Sequence, residues 1–430
     1  MIRDDRSFVV LVFAIALGLR LLWVLAVPVA PVSDMAFYYE QGRSIASGEG
    51  YVSNGAVNGY VYPDYPAGAP TADRPVGYSG FLALLFLVTG PSVLVGTVAN
   101  AVLGALGVVV FYGIALRLSS DLLVPRLAAI LLAVFPNQIA YCGLLSDSVL
   151  FQFLLLVGCY LLLSSSVTRA LLSGIVFGLA TLTRAYAFPL ALVWGGVLWR
   201  QRGWRNAVAN LGIVTLMAGL VVVPWAIRNH RVFGDWAFVS TNLGHNLLAG
   251  HNDRCHGQWT PKLPPAAYAP GFENEIERDH ALRRLALEYM VRHPVRTIAV
   301  SVPKVFYLYA DDADGLRWTF KGWLASRQGV RDGVPPAVAY GPGHYGAMAV
   351  FEGYYLLVFA GFLVGLISRI RGRLEGLDPQ GLGLWTIGYF TTIAIVFFGM
   401  SRFHFPVVPF FCLYAAAVLV QRFRSRLELL

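Results

Sequence analysis

Charge is what this chain has least of. Only 13% of its 430 residues are Asp, Glu, Lys or Arg, while 57% are hydrophobic. A soluble core cannot hide that much apolar surface, so the composition excludes an ordinary soluble domain and points to an all-α polytopic membrane protein. The net charge of +9 does not imply nucleic acid, because the basic residues come in short groups between apolar runs, as in cytoplasmic loops facing anionic lipid. Cysteine is scarce as well. Cys142, Cys159, Cys255 and Cys412 have no metal-ligand spacing; two fall in predicted spans, and a Cys142 to Cys255 bridge outside is the minority alternative to free thiols. No small-x-small cleavage site follows the first apolar run, residues 8–27, so that run stays as a helix. No internal repeat is visible, which weakens a transporter built from inverted repeats.

What is present is a series of apolar runs: residues 8–27, 92–116, 122–141, 149–163, 171–183, 186–199, 206–225, 345–367, 382–398 and 406–420. They predict about ten transmembrane helices in one integral domain, with both termini cytoplasmic. Residues 80–88 are also apolar but stop at Gly90-Pro91, so they belong to the first outer loop, residues 29–91. Arg200, Arg202 and Arg205, then Arg369, Arg371 and Arg373, then Arg422, Arg424 and Arg426 mark the inner side. Parity then makes 227–344 a large outer region. Its apolar piece, residues 295–309, carries Arg296 and Lys304 and is too short for the ~20 residues a span needs, so it reads as an interfacial or half-inserted helix.

The stretch from Pro31 to Tyr78 is the candidate roof of an active site. Asp34 stands where the first span leaves lipid. Met35, Tyr38, Tyr39, Gly42, Ile45 and Ala46 recur at helical spacing after it, and Tyr51, Tyr60, Tyr62 and Tyr65 lead on to Arg74-Pro75-Val76-Gly77-Tyr78. Beyond the cytoplasmic groups, the ionisable residues left at outer span ends are Asp34, Arg74, Asp147, Arg184, Arg228, Arg402 and His404. Arg184 sits in a hairpin whose two arms are too short for two crossings, so its turn lies below the outer surface in a wet cavity; snorkelling to headgroups is the plainer alternative. Arginine forks suit phosphate, and several Arg with two Asp at one face read as a site for a phosphate-bearing, partly lipidic substrate. For Asp34 the structural alternative is a helix N-cap with Ser33, although no Glu or Gln completes a capping box. For Asp147 capping and substrate contact weigh equally.

His245, His251, Asp253, Cys255 and His256 are metal-binding types in no trusted spacing, so a zinc site is the lesser reading. Asp311, Asp312 and Asp314 read as a solvated loop, and residues 273–293 as a solvated surface helix.

Taken in order, Asp34, Gly48-Glu49-Gly50-Tyr51, Arg74-Pro75-Val76-Gly77-Tyr78, Leu144-Leu145-Ser146-Asp147-Ser148, Pro224-Trp225-Ala226-Ile227-Arg228-Asn229 and Arg402-Phe403-His404-Phe405-Pro406 resemble bacterial glycosyltransferases of the C superfold. The likeness is to the branch of family 39 protein O-mannosyltransferases and the aminoarabinose transferase that modifies lipid A. The resemblance implies an enzyme of the bacterial inner membrane that takes a sugar from a polyprenyl-phosphate donor on the outer face. By position, Asp34 would be the acid that activates the acceptor, Arg74 a donor contact and Asp147 the second acid. Tyr78, Arg184, Arg228, His251, Arg402 and His404 complete the candidate substrate-binding set. Two departures leave the acceptor open among lipid, glycan and protein: Met35 stands where those mannosyltransferases carry a second acid, and no soluble domain is expected after the last span. No cofactor is implied with assurance, and a divalent cation stays open. A polysaccharide polymerase or ligase using lipid diphosphate-linked oligosaccharide, and a flippase, are the rival readings.

Overall fold

The computed structural model describes residues 2–53, 67–260, 263–268, 272, 274–330, 333–338 and 341–427. Among them there is no β-strand, only three isolated bridges. In chain order the helices are α1 (Ile2–Ala26), α2 (Asp34–Ala46), α3 (Gly77–Thr89), α4 (Val93–Leu118), α5 (Leu123–Ala133), α6 (Pro136–Ala140), α7 (Asp147–Leu162), α8 (Val167–Thr183) and α9 (Phe188–Arg202). They continue with α10 (Trp204–Phe233), α11 (Leu243–Gly250), α12 (Glu275–Arg292), α13 (Pro294–Ala299), α14 (Ser301–Tyr309), α15 (Asp314–Gln328), α16 (Pro342–Ile370), α17 (Leu382–Val396) and α18 (Val408–Leu427).

Every expected span is helical, but the lengths differ. α1, α4, α10, α16 and α18 are long and apolar enough to cross a membrane, and α5 with α6 makes a sixth candidate bent by 54°. The remaining four, α7, α8, α9 and α17, have 16, 17, 15 and 15 residues. At ~1.5 Å per residue they fall short of a ~30 Å hydrocarbon core. The Asp147 end of α7 and the Arg184 break between α8 and α9 meet at the site described below.

Pro136 forces the break between α5 and α6, since a proline lacks the N–H that would continue the ladder. The carbonyl freed at Ala133 is taken by Arg20 of α1, whose guanidinium is buried and donates to it at 2.9 Å. An arginine inside a predicted span thus serves a broken helix, which sequence reading had not singled out.

α18 is the hub: 83% of its spanning window is buried, against 17–39% for the other long helices. It packs against α16 and α5, and Phe410, Phe411, Leu413 and Tyr414 are all buried. This places the Ser401–Phe403 turn, just ahead of it, at the end of the best-packed element of the fold.

Two expectations about the outer region change. Residues 295–309, expected as one non-spanning helix, form two, α13 of six residues and α14 of nine, each too short to cross. The helix expected as a solvated surface helix, α12, buries Glu275, Ile276, Arg278, Asp279, Leu282 and Ala286. It is half-buried because Asp279 accepts the Gly244 N–H of α11, which lies along it. All four cysteines are free and buried, so the Cys142 to Cys255 bridge does not form. Tyr60, Tyr62 and Tyr65 of the expected roof lie outside the described residues.

Candidate active site

Ser33 occupies the cap position before α2 at φ 53°, ψ −129°, and its hydroxyl makes no cap bond. Asp34 is already inside the helix and does not cap it either. Its carboxylate instead receives a 2.8 Å bond from Arg74 Nη2 on one oxygen and a 3.0 Å bond from Arg402 Nη1 on the other. The capping alternative is therefore set aside by geometry. Burial works to raise the Asp34 pKa, but the charges of Arg74 and Arg402 outweigh it and hold it down to about 2. Ser33 has strained, left-handed backbone that an L-residue adopts only when its surroundings impose it, and its N–H is tied to the Gly333 carbonyl.

Asp147 behaves alike. Ser146 caps α7 by accepting the Ser148 N–H, which leaves Asp147 free to grip Arg184 with both oxygens at 2.8 and 2.6 Å. Arg184 also donates to the Ser148 and Tyr186 hydroxyls. It sits at the break between α8 and α9, as its short hairpin predicted, and is 7% exposed. Gly77 lets the first loop close on this hairpin: a Cβ there would stand 2.7 Å from the Leu182 carbonyl. A larger residue would push Arg74 and the start of α3 away.

Arg74 is held from behind. Phe37 lies under its guanidinium at 4.5 Å, and the Tyr51 hydroxyl donates to its carbonyl. The preceding Thr71-Ala72 segment is bound by the Glu275 carboxyl, which accepts from the Ala72 N–H and the Thr71 and Thr241 hydroxyls. Burial, then the nearby Asp73 charge, push Glu275 up to about 8 despite those donors.

A single cleft collects the outcome. Its walls carry Ser33, Asp34, Tyr38, Tyr141, Asp147, Asp314, Trp318 and Arg402. Asp34 and Arg402 are each about a third exposed to it. Arg402 spends one N–H on Asp34, and its buried Nε has no hydrogen-bond partner among the described residues. Residues 34, 147 and 402 thus meet in one hollow, with Arg74 and Arg184 bonded directly behind two of them.

Other candidates lie elsewhere. Tyr78 is fully buried, and its hydroxyl accepts a bond from Asn100 at 2.9 Å, so it supports the floor below Tyr38. Arg228 donates to the Thr71 and Tyr51 carbonyls over the Trp225 ring, stapling the first loop. His251 is buried at the end of α11, with the Val396 carbonyl and the Lys304 ammonium at 2.8 and 3.2 Å from its Nε2; burial and that ammonium push it down to about 4. None of these three lines the cleft. Among the described residues no three His, Cys, Asp or Glu side chains gather as a metal cluster.

His404 is fully buried and bonds the Asp312 carboxylate at 2.9 Å through Nε2 and the Leu308 carbonyl through Nδ1. A carbonyl can only accept, so Nδ1 carries hydrogen and the second proton of the pair lies between Nε2 and Asp312. Burial opposes charge on His404, but Asp312 holds its pKa above the usual value. The solvated-loop reading of residues 311–314 is overturned with it. Asp312 is 1% exposed, and Asp314 lines the cleft while accepting a 2.6 Å bond from the Tyr141 hydroxyl. Asp314, Tyr141 and Trp318 were missed; the one available signal was an acidic cluster set just before an amphipathic helix.

The fold is shared with a solved membrane oligosaccharyltransferase. The archaeal oligosaccharyltransferase AglB from Archaeoglobus fulgidus, solved with an inhibitory peptide and a dolichol-phosphate, aligns over 98% of this chain and 51% of its own, at TM-score 0.55 and 14% identity. Its apo form aligns at TM-score 0.57. More particularly, the chain is similar to the undecaprenyl phosphate-alpha-4-amino-4-deoxy-L-arabinose arabinosyl transferases of Pseudomonas paraeruginosa and Pseudomonas aeruginosa. It is 29% identical to the first over 209 residues and 28% identical to the second over 204. These matches cover 46% and 45% of this chain but only 38% and 37% of the relatives' lengths. No family model matches the chain.

Proposed function

We propose that this protein transfers a sugar from a polyprenyl-phosphate donor to an acceptor hydroxyl or similar group on the extracytoplasmic face of a bacterial inner membrane. The observation that carries the reading is Asp34, ionised between the guanidiniums of Arg74 and Arg402 on the wall of one cleft. The names of the Pseudomonas relatives, which act with an undecaprenyl phosphate sugar, support the donor class.

The acceptor oxygen attacks the anomeric carbon while the bond from that carbon to the phosphate oxygen breaks, and the electron pair leaves on polyprenyl phosphate. Arg402 has donors to spare for the charge that develops there. The acceptor proton passes to Asp34. In the resting site Asp34 is a weak base, because two cations stabilise its charge. A donor phosphate competes for those same guanidiniums, and each bond it draws away makes Asp34 more basic, so donor binding arms the acceptor side. A single displacement inverts the anomeric centre.

Purified protein in liposomes with a labelled polyprenyl-phosphate sugar tests this. A new glycosidic linkage of inverted configuration is expected. Consumption of a lipid diphosphate-linked oligosaccharide instead would favour a polymerase or ligase, and movement of intact donor across the bilayer a flippase.

A further inference from the structure

The helices that follow the large outer loop carry an apolar stripe that no described part of the chain covers. Leu287, Val291, Val295, Ile298, Val302 and Phe306 are 50%, 80%, 80%, 73%, 74% and 64% exposed. Within each helix they are spaced three or four residues apart, and the non-helical His293 separates the α12 pair from the rest. The stripe begins on α12, runs the length of α13 and ends on α14. α13 has no buried residue at all. α13 is held within the chain by its junctions with α12 and α14 and by the Arg296 bond to the Asp253 carbonyl, but its apolar side chains have no cover there.

The charge beside the stripe says what covers it. Arg283, Arg284 and Arg292 share one open concavity on α12 with Leu287 and Val291; Arg283 pairs with Asp279 and Arg292 with Glu288, which leaves the guanidiniums in excess by one there. Arg296 adds a fourth guanidinium on α13. Large apolar side chains beside an excess of arginine match the boundary of an anionic bilayer, where the chains enter the acyl region and the guanidiniums bond lipid phosphates. The stripe is also continuous with lipid-facing surface. α14 packs along α17, one of the apolar helices of the bundle, whose Val396 is 40% exposed.

We infer that the second half of α12, with α13 and α14, lies in the outer leaflet's interface as a phospholipid-docking strap that selects anionic headgroups. This extends the interfacial segment expected at residues 295–309 back into α12, which the sequence had assigned to solvent. The strap connects to the chemistry through the backbone. Gly399 donates its N–H to the Gly257 carbonyl at 2.7 Å and packs so closely on Lys304 of α14 that a Cβ would strike its carbonyl. Three residues later comes Arg402. The leaflet therefore fixes the height of the turn that presents Arg402 to the cleft.

Spin labels on single cysteines test the strap without any need for activity. Val291, Val295, Ile298 and Val302 are exposed, so replacing them disturbs no packing, and the native cysteines are buried. In nanodiscs containing phosphatidylglycerol, labels at these four sites should collide with oxygen at least threefold more than with a water-soluble nickel complex. A label at exposed Asp235 should show the reverse. In discs of phosphatidylcholine alone the four ratios should fall at least threefold, since the guanidiniums lose their partners. Nickel collisions at Val291 and Ile298 equal to those at Asp235 would overturn the strap, as would shielding from both reagents with spin–spin broadening, which indicates a second copy of this chain. Equal ratios in the two lipids would overturn the headgroup selectivity.

Discussion

Asp34 and Asp147 are two carboxylates that each give up the capping role their position offers and bind arginine instead. Their consequences differ. Arg184 is deeply buried with Asp147 as its charge partner, and removing one member of such a pair costs about 3–5 kcal/mol. Asp147→Asn should therefore lower the melting temperature of the detergent-solubilised protein sharply, whereas Asp34→Asn, where the carboxylate and Arg402 are each about a third exposed, should lower it less. Arg402→Ala removes a charged donor to the leaving phosphate, worth ~1.5–3 kcal/mol; titration with polyprenyl phosphate should show affinity weaker by about 10- to 100-fold. Unchanged affinity would move the phosphate away from Arg402. Asp34 and its two arginines were legible because charge is so rare in this sequence that each ionisable residue at a span end stood out. His404, Tyr78 and Arg228 were equally visible but lie elsewhere, since sequence position shows that a polar side chain is near the site and not whether it faces the cleft or props its wall.

Among the elements, the first loop is the one most dependent on its supports. Glu275 at the start of α12 bonds the Thr71-Ala72 segment that leads into Arg74. Its pKa is raised to about 8 in the fold against 4.5 unfolded, so the folded state binds the proton more tightly. The stability it contributes is complete below about pH 4.5 and is lost as pH rises through about 8. Melting temperature should accordingly fall as pH rises from about 5 to about 8 and level off beyond it, and Glu275→Gln should flatten that fall. An undiminished slope in the variant would assign the effect to another group. Ser33, at the other end of the loop, adopts backbone that suits glycine, which costs a serine roughly 1–3 kcal/mol. Ser33→Gly should raise the melting temperature while loosening the hold on Asp34 and slowing transfer. Neither support was foreseen, because Glu275 reaches Thr71 across 204 residues of chain. α12 looked solvated for the same reason: its alternating charges hide the buried pairing of Asp279 with α11.

At the scale of the whole molecule, composition and the order of apolar runs were enough to foretell an all-helical bundle with several apolar helices. The shortness of α7, α8, α9 and α17 was only half visible: the Arg184 hairpin betrayed itself by its length, while α17 did not. The orientation remains a prediction that labelling can check. Gln328 in the large outer region and Glu375 after α16 are both exposed and should be reached by a membrane-impermeant thiol reagent from opposite sides once each is changed to cysteine. Labelling of both from one side would break the parity on which an extracytoplasmic site depends. The account as a whole stands on one carboxylate doing chemistry in the cleft that α2, α7, α15 and the turn before α18 enclose. Its most direct test is Asp34→Asn in proteoliposomes supplied with a labelled polyprenyl-phosphate sugar. The account predicts a variant that still binds the lipid phosphate yet forms no new linkage; turnover at the wild-type rate would contradict it.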